Sequence, residues 1–286
     1  MKSVTIGLIQ TKVSKNIASN VEKTVKLIKQ AAQRGAKIIC LQELFQTPYF
    51  PQHPSKPKNK YSETVPGPTS VIMQKLAQKL GVVIIVPLFE KAKNGKYYNT
   101  AVVFDDRGKM LGKYHKVHIP QDPGFYEKNY FEHGDLGYKI FKTKFCTFAV
   151  LICYDQWFPE AARVVCLEGA EMIFYPTAIA NIIGYVPREG NWHNAWETVI
   201  RGHAIVNSVP VVTVNRVGRE DALNFWGKSF VCNSFGKVLK RASANKDEVL
   251  LIKVDLKDNK YIRGTWGFLR NRQPNTYSLL LTKLKS

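Results

Sequence analysis

The chain has 286 residues, a formal net charge of +20, 45% hydrophobic and 22% charged residues. That composition can bury a substantial core, and no uninterrupted apolar run reaches the roughly 18 residues a membrane-spanning helix needs. Five cysteines, odd in number and without a CxxC pair, suit a reduced cytoplasmic protein better than a disulfide framework or a zinc site. The elements then follow in chain order. The N-terminus "MKSVTIGLIQTKV" lacks the apolar core of a signal peptide, and "SVTIGLIQ" alternates like an opening strand. In "NIASNVEKTVKLIKQAAQRG" the apolar residues Ile17, Val21, Val25, Ile28 and Ala32 form a helical face, with Gly35 as a stop. "AKIICLQE" reads as a strand buried on both faces, "TSVIMQKLAQKLG" as a helix ending at Gly81, and "VVIIVPLFE" as another buried strand. "YNTAVVFDDRGKMLGKYHK" predicts a hairpin turning at Asp106-Arg107-Gly108-Lys109.

The second half continues the alternation. "KFCTFAVLIC", "EMIFYPTA" and "VPVVTVNRVG" read as strands, "PEAARVVCLEGA" and "NWHNAWETVIRGHAIVNS" as helices. "SFVCNSFGKVLKRA" and "EVLLIKVDL" look like a closing hairpin pair. No Pro/Ser-rich linker, composition shift or short repeat divides the chain, so one α/β domain over residues 1–286 is expected.

The positive charge raises a rival reading, binding to nucleic acid. The lysines are scattered, with "KPKNK" at 56–60 the densest cluster, and RNP-like, zinc-finger and heptad patterns are missing. A generally basic surface accounts for the charge better, and nucleic acid is not the expected partner.

Reactive groups in α/β sheets gather at the carboxyl ends of strands. Three predicted ends bear candidates: Glu43 after "AKIICLQ", Lys116 after the hairpin, and Cys153 after "AVLI". Cys153 is either a small buried hydrophobe or a nucleophile whose thiolate gains from a helix start near Pro159. Glu43 is either a solvated strand terminus or a partly buried base. Lys116 alone is indistinguishable from a surface lysine. Cys40, Cys146, Cys166 and Cys232 sit inside apolar segments and read as packing. A cysteine, a carboxylate and a lysine together are the inventory for acyl transfer from an amide-like carbon: base, nucleophile and a cation for the oxyanion. Spacing does not show that the three meet. His115 and His118 form one His-x-x-His without further ligands, which favours packing or hydrogen bonding, so neither a metal nor an organic cofactor is expected.

From "VTIGLIQ" to "FLRNRQPNTYSLL" the chain resembles the nitrilase superfamily of carbon–nitrogen hydrolases. The resemblance is carried by "LQELFQTPYF", "GKYHKVHIP", "ICYDQWFPEAARVVCLEGAE", "YPTAIA", "RGHAIVNSVPVVTVNRVG" and "FWGKSFV". It implies an α-β-β-α sandwich of two mixed sheets flanked by helices. It also implies a Glu43-Lys116-Cys153 triad supported by Glu127 in "PGFYEKNYF", with the backbone N–H of Tyr154 helping Lys116 to hold an oxyanion. Within the family, "CYDQWFPEAAR" looks closest to the branch that hydrolyses N-carbamoylputrescine, a small-molecule ureide; other small amides are the alternative. Members taking N-carbamoyl amino acids carry arginines just past the cysteine to clamp a carboxylate, where this chain has Gln156 and Trp157. Trp157, Tyr49 and Phe50 are candidate walls for an aliphatic chain or a cation, and Thr177 and Ala178 of "YPTAIA" are further substrate-site candidates. The acidic residue that this branch places shortly after "YPTAI" is replaced by Ile182 and Ile183, which leaves Glu189 as the candidate for a distal ammonium. Resemblance further implies a homo-oligomer, a dimer or larger, built through the helices after Cys153 and after "YPTA".

Overall fold

The computed structural model describes residues 3–55 and 57–282, so Lys56 of the basic cluster lies outside the described residues. Two six-stranded sheets dominate. In the first, the strands run in the spatial order Glu248–Asp255, Ser3–Gln10, Ile38–Leu41, Val83–Lys91, Tyr97–Phe104, Met110–His115. In the second the order is Val238–Arg241, Phe230–Cys232, Val211–Val214, Ile173–Pro176, Thr147–Val150, Ile140–Lys142. Both are mixed, parallel at the centre and antiparallel toward the edges.

Strand alternation explains the layering. Successive side chains of a strand point to opposite faces. Ile38, Cys40, Val83 and Ile85 therefore join the core between the sheets, together with Phe148, Val150, Phe174 and Val212. Ile39, Leu41, Ile84 and Val86 face the other way and meet two helices, α1 (Ile17–Gln33) and α2 (Pro68–Leu80), through Ile28, Ala31, Met73 and Ala77. The second sheet's outer face is covered by α3 (Pro159–Leu167) and α4 (Trp192–Asn207), whose Ala161, Val165, Trp196 and Ala204 are buried there. The result is an α-β-β-α sandwich. Local chemistry sets the helix limits. Asn16 and Asn191 cap α1 and α4, each side chain accepting a backbone N–H at 3.0 Å, a contribution of about 1 kcal/mol apiece. Gly81 closes α2 in the left-handed conformation that glycine adopts without strain (φ 64°).

Three details depart from the sequence reading. Glu248–Asp255 does not pair with the hairpin Phe230–Cys232/Val238–Arg241; it crosses to the first sheet and runs antiparallel to Ser3–Gln10. The strand before Cys153 stops at Val150, because the N–H of Ile152 is taken by the Asp155 carboxylate at 2.8 Å. A fifth helix, α5 (Lys257–Trp266), was not apparent from a mostly polar stretch whose buried residues are Asn259 and Ile262.

Sheet direction places the chemistry. Ile38–Leu41 is parallel to Val83–Lys91, and two successive antiparallel pairings bring Met110–His115 into the same direction. Glu43 and Lys116 consequently leave the first sheet at one edge. Thr147–Val150, Ile173–Pro176 and Val211–Val214 are mutually parallel, so Cys153, Ala178 and Arg216 emerge together from the second.

Candidate active site

Glu43, Lys116 and Glu127 form a buried ion cluster, each with no exposed side-chain surface. Lys116 Nζ donates to Glu43 Oε1 at 2.8 Å and to Glu127 Oε2 at 2.6 Å. Asn99 Nδ2 donates to the same Glu43 oxygen at 2.7 Å, and Tyr49 OH donates to Glu127 Oε1 at 2.7 Å. The second Glu43 oxygen, Oε2, accepts from no described residue, which leaves one carboxylate oxygen of the cluster open as a proton acceptor. Burial alone lowers the Lys116 ammonium, but the charges of Glu127 and Glu43 outweigh it and hold the group above its ordinary value. Burial pushes the Glu127 carboxyl up to about 7, against the pull of Lys116 and with a further push from Glu43.

Cys153 opens a 3-10 turn, Cys153–Trp157, with a left-handed backbone (φ 43°). Leu44, just past Glu43, has the same unusual sign (φ 49°). Such conformations strain a side-chain-bearing residue and persist where the surroundings over-determine them. For Cys153 one such constraint is visible. Asp155, wholly buried, accepts from Ile152 N at 2.8 Å and from Tyr114 OH at 2.7 Å through one oxygen. Its other oxygen accepts from His118 N at 3.0 Å and meets His118 Nδ1 at 2.8 Å. One carboxylate thus ties the Cys153 turn to the segment following Lys116.

The thiol departs from the expectation of a helix-stabilised thiolate. Helix α3 begins only at Pro159, and Cys153 is 7% exposed. Burial pushes its thiol well above the ordinary value; the charges of Glu43 and Glu127 add to that, and Lys116 and the Ala178 N–H oppose it. Burial and the two carboxylates thus favour the thiol form of Cys153 over the thiolate.

A cavity of about 570 Å³ opens above the sulfur. Cys153, Tyr154, Gln156, Trp157, Ala178, Glu189 and Glu127 all line it, along with Asp122, Phe125, Ile179, Ile182, Tyr185 and Trp192. No lysine or arginine is among these described lining residues. Glu189 is fully exposed at the cavity wall; its own backbone N–H and the Trp192 Nε1–H, at 2.6 Å, hold its carboxyl below the ordinary range. Three residues singled out from sequence lie elsewhere. Phe50 is stacked on Tyr61 at 4.8 Å inside an aromatic cluster with Phe89 and Tyr130, because its ring is the buried face of a short 3-10 turn. Tyr49 is buried beneath the cavity, and the cation beside its ring is Arg216, at 5.8 Å. Thr177 is buried with its hydroxyl donating to Tyr175 O. Asn99, Asp155 and Asp122 were not singled out from sequence. Asn99 lies at a period-two position of a strand, facing opposite to Tyr98 and Thr100, which was the available signal.

The histidines are used in packing and hydrogen bonding. His115 lies between Asp135 (2.7 Å) and Glu90 (3.1 Å), and His118 stacks on Phe158 at 3.7 Å. Among the described residues no group of three or more His, Cys, Asp or Glu side chains is arranged to hold a metal ion.

The carbon-nitrogen hydrolase family model matches residues 5–263. This chain belongs to the carbon-nitrogen hydrolase family. Over 98% of its length it is 41% identical to an N-carbamoylputrescine amidase of Solanum lycopersicum, 95% of which is covered. It is 34% identical to a citrullinase of Francisella tularensis over 99% of this chain and 100% of that protein. A crystal structure of a carbon-nitrogen hydrolase from Helicobacter pylori superposes with a TM-score of 0.94 at 38% identity, covering 99% of this chain and 100% of the other. As a member of this family the chain is a hydrolase acting on amide-type carbon–nitrogen bonds.

Proposed function

We propose that this carbon-nitrogen hydrolase converts N-carbamoylputrescine to putrescine, CO2 and ammonia, with Cys153 as nucleophile and Glu43 as base. One observation carries the reading: a cavity with Cys153 at its base is lined by the carboxylates Asp122 and Glu189 and by no described basic side chain. A substrate with a distal ammonium is complementary to those walls, whereas a carboxylate-bearing ureide meets acids where it needs a cation. The curated relatives named N-carbamoylputrescine amidase support the same substrate.

The proposed steps use these residues as follows. Glu43 Oε2 takes the thiol proton as the sulfur attacks the ureide carbon, forming the C–S bond. Negative charge then develops on the ureide oxygen. Lys116 and the N–H of Tyr154, in the first turn of the 3-10 segment where backbone donors lack intrahelical partners, stabilise it. Collapse breaks a C–N bond, and Glu43 returns its proton to the departing nitrogen. A water deprotonated by Glu43 attacks the thiocarbamate, the C–S bond breaks, and the sulfur recovers a proton from Glu43. The released carbamic acid decomposes to CO2 and whichever of ammonia and putrescine did not leave when the C–N bond broke. Glu127 holds Lys116 in place, and Trp157 and Ala178 line the path of the aliphatic chain.

The proposal treats residues 1–286 as one catalytic domain in the cytoplasm, working as a homo-oligomer. Val164 and Leu167 on α3 and Val206 on α4 are exposed apolar side chains that favour such an assembly. Light scattering reads its size. The substrate is tested by ammonia release from N-carbamoylputrescine, N-carbamoyl-β-alanine, glutamine, aliphatic amides and nitriles. N-carbamoylputrescine is expected to give the highest kcat/KM; a preference for the carboxylate-bearing ureide would overturn the substrate while leaving the chemistry standing.

A further inference from the structure

We propose that Arg216 is a positioning residue for catalysis, a buried guanidinium from the second sheet that locks the backbone of Glu43 in the first. The inference rests on the assignment of Glu43 as the base. Arg216 follows the strand Val211–Val214 and has no exposed surface. Its Nη2 donates to the carbonyls of Glu43 (3.0 Å), Leu44 (2.9 Å) and Thr47 (3.4 Å), and its Nη1 to Glu220 Oε1 (2.7 Å). Consecutive carbonyls of an extended strand point in opposite directions, so two of them reach one nitrogen only where the chain has turned sharply. The left-handed Leu44 supplies that turn, and the guanidinium holds it.

The contacts continue around the site. Glu220 Oε2 accepts from Tyr49 N at 2.7 Å, Tyr49 OH donates to Glu127, and Glu127 accepts from Lys116, which donates to Glu43. Arg216 thereby holds Glu43 from its carbonyl side, while Glu220 and Tyr49 hold it indirectly from its carboxylate side. The loop from Glu43 to Tyr49 is fixed at both ends by a single buried ion pair. Only arginine offers a planar fork of donors able to meet three carbonyls and a carboxylate together; an ammonium is a point charge with three donors. Because Cys153 and Arg216 leave the same edge of the same sheet, the fork also sets the height of the base relative to the sulfur across the sandwich.

The experiment compares wild type with Arg216→Lys in two assays: steady-state turnover of N-carbamoylputrescine, and the rate at which iodoacetamide alkylates Cys153. Circular dichroism verifies that the variant is folded. Arg216→Lys is expected to lower kcat about 100-fold with KM within about three-fold, and to slow alkylation in parallel, since a base displaced by about an ångström fails in proton removal before binding is affected. A folded Arg216→Lys enzyme with wild-type kcat and alkylation rate would overturn the inference. Should Arg216→Lys not fold, Glu220→Gln keeps an acceptor for Tyr49 N while removing the counter-charge. It is expected to lower kcat about ten-fold at unchanged KM, and wild-type kcat in that variant overturns the inference equally. Glu43→Gln in the same assays separates the two levels: an active Glu43→Gln enzyme refutes the base assignment itself, whereas an inactive one beside an unimpaired Arg216→Lys refutes only the role of Arg216.

Discussion

The floor and the mouth of the cavity are built on different terms. At the floor, Glu43, Lys116, Glu127 and Asp155 are wholly buried; Lys116 donates to Glu43 and Glu127 at 2.8 and 2.6 Å, and Asp155 accepts from Tyr114 OH, Ile152 N and His118 N at 2.7–3.0 Å. At the mouth, Asp122 and Glu189 are exposed, and the one side-chain hydrogen bond shown for Glu189 comes from Trp192 three residues on. A buried charge without its partner is costly, so the floor tolerates one arrangement and one kind of chemistry. An exposed carboxylate is screened by water and contributes little fixed geometry, so the mouth can change its substrate without disturbing the reaction below. Chemistry and selectivity are therefore separable in this molecule.

That separation can be broken or sharpened by substitution, beginning with the largest effect. Cys153→Ala removes the only atom able to form the thiocarbamate, and ammonia release should fall at least about 10⁴-fold with the fold intact. Glu127→Gln leaves Lys116 with one charged partner, and kcat should drop about 100-fold or more in the same assay. The same variant has a thermal signature. The folded Glu127 carboxyl lies at about 7, above its ordinary 4.5, so the native state binds the extra proton. The stability this lends is full below about pH 4.5 and is lost as pH rises to about 7. Melting curves should show wild type losing stability relative to Glu127→Gln across that window, and parallel Tm profiles would argue against the buried assignment. Asp155→Asn disturbs the bridge between the Cys153 turn and the Lys116 segment, with kcat expected to fall about ten-fold or more at near-constant KM. Smallest is Glu189→Gln at the mouth: KM for N-carbamoylputrescine should rise no more than about five-fold while kcat stays put, as suits an exposed ion pair. A large kcat defect there would show that mouth and floor are coupled after all.

How much was legible beforehand follows the same division. Ile38–Leu41 and Val83–Lys91 announced themselves as apolar runs, and the positions of Glu43, Lys116 and Cys153 just past predicted strands were visible in the residues. Periodicity says which face a residue takes but not which strands become neighbours. Hence Glu248–Asp255 reads in sequence as a partner of the hairpin it follows, whereas it spans to the opposite sheet. The same gap explains Asn99, Asp155 and Arg216, whose partners lie 56, 41 and 173 positions away. Their roles exist only after the sheets stack. Phe50 and Tyr49 mislead for a related reason: adjacent aromatics look alike in sequence, yet one fills an aromatic core and the other hydrogen-bonds Glu127. A helix start near Pro159 does not by itself tell the state of the sulfur, because burial, which the sequence does not show, pushes the thiol the other way.

Activation of the Cys153 sulfur by a buried carboxylate, so that it takes up the ureide carbon, is the step on which the proposed function turns. Acid quenching of the enzyme during turnover of N-carbamoylputrescine, followed by peptide mass spectrometry, tests it directly. The account predicts a carbamoyl-type adduct on the peptide bearing Cys153, formed in wild type and missing from Glu43→Gln. Sustained turnover with an unmodified Cys153, or an adduct forming at the wild-type rate without the Glu43 carboxylate, would contradict it.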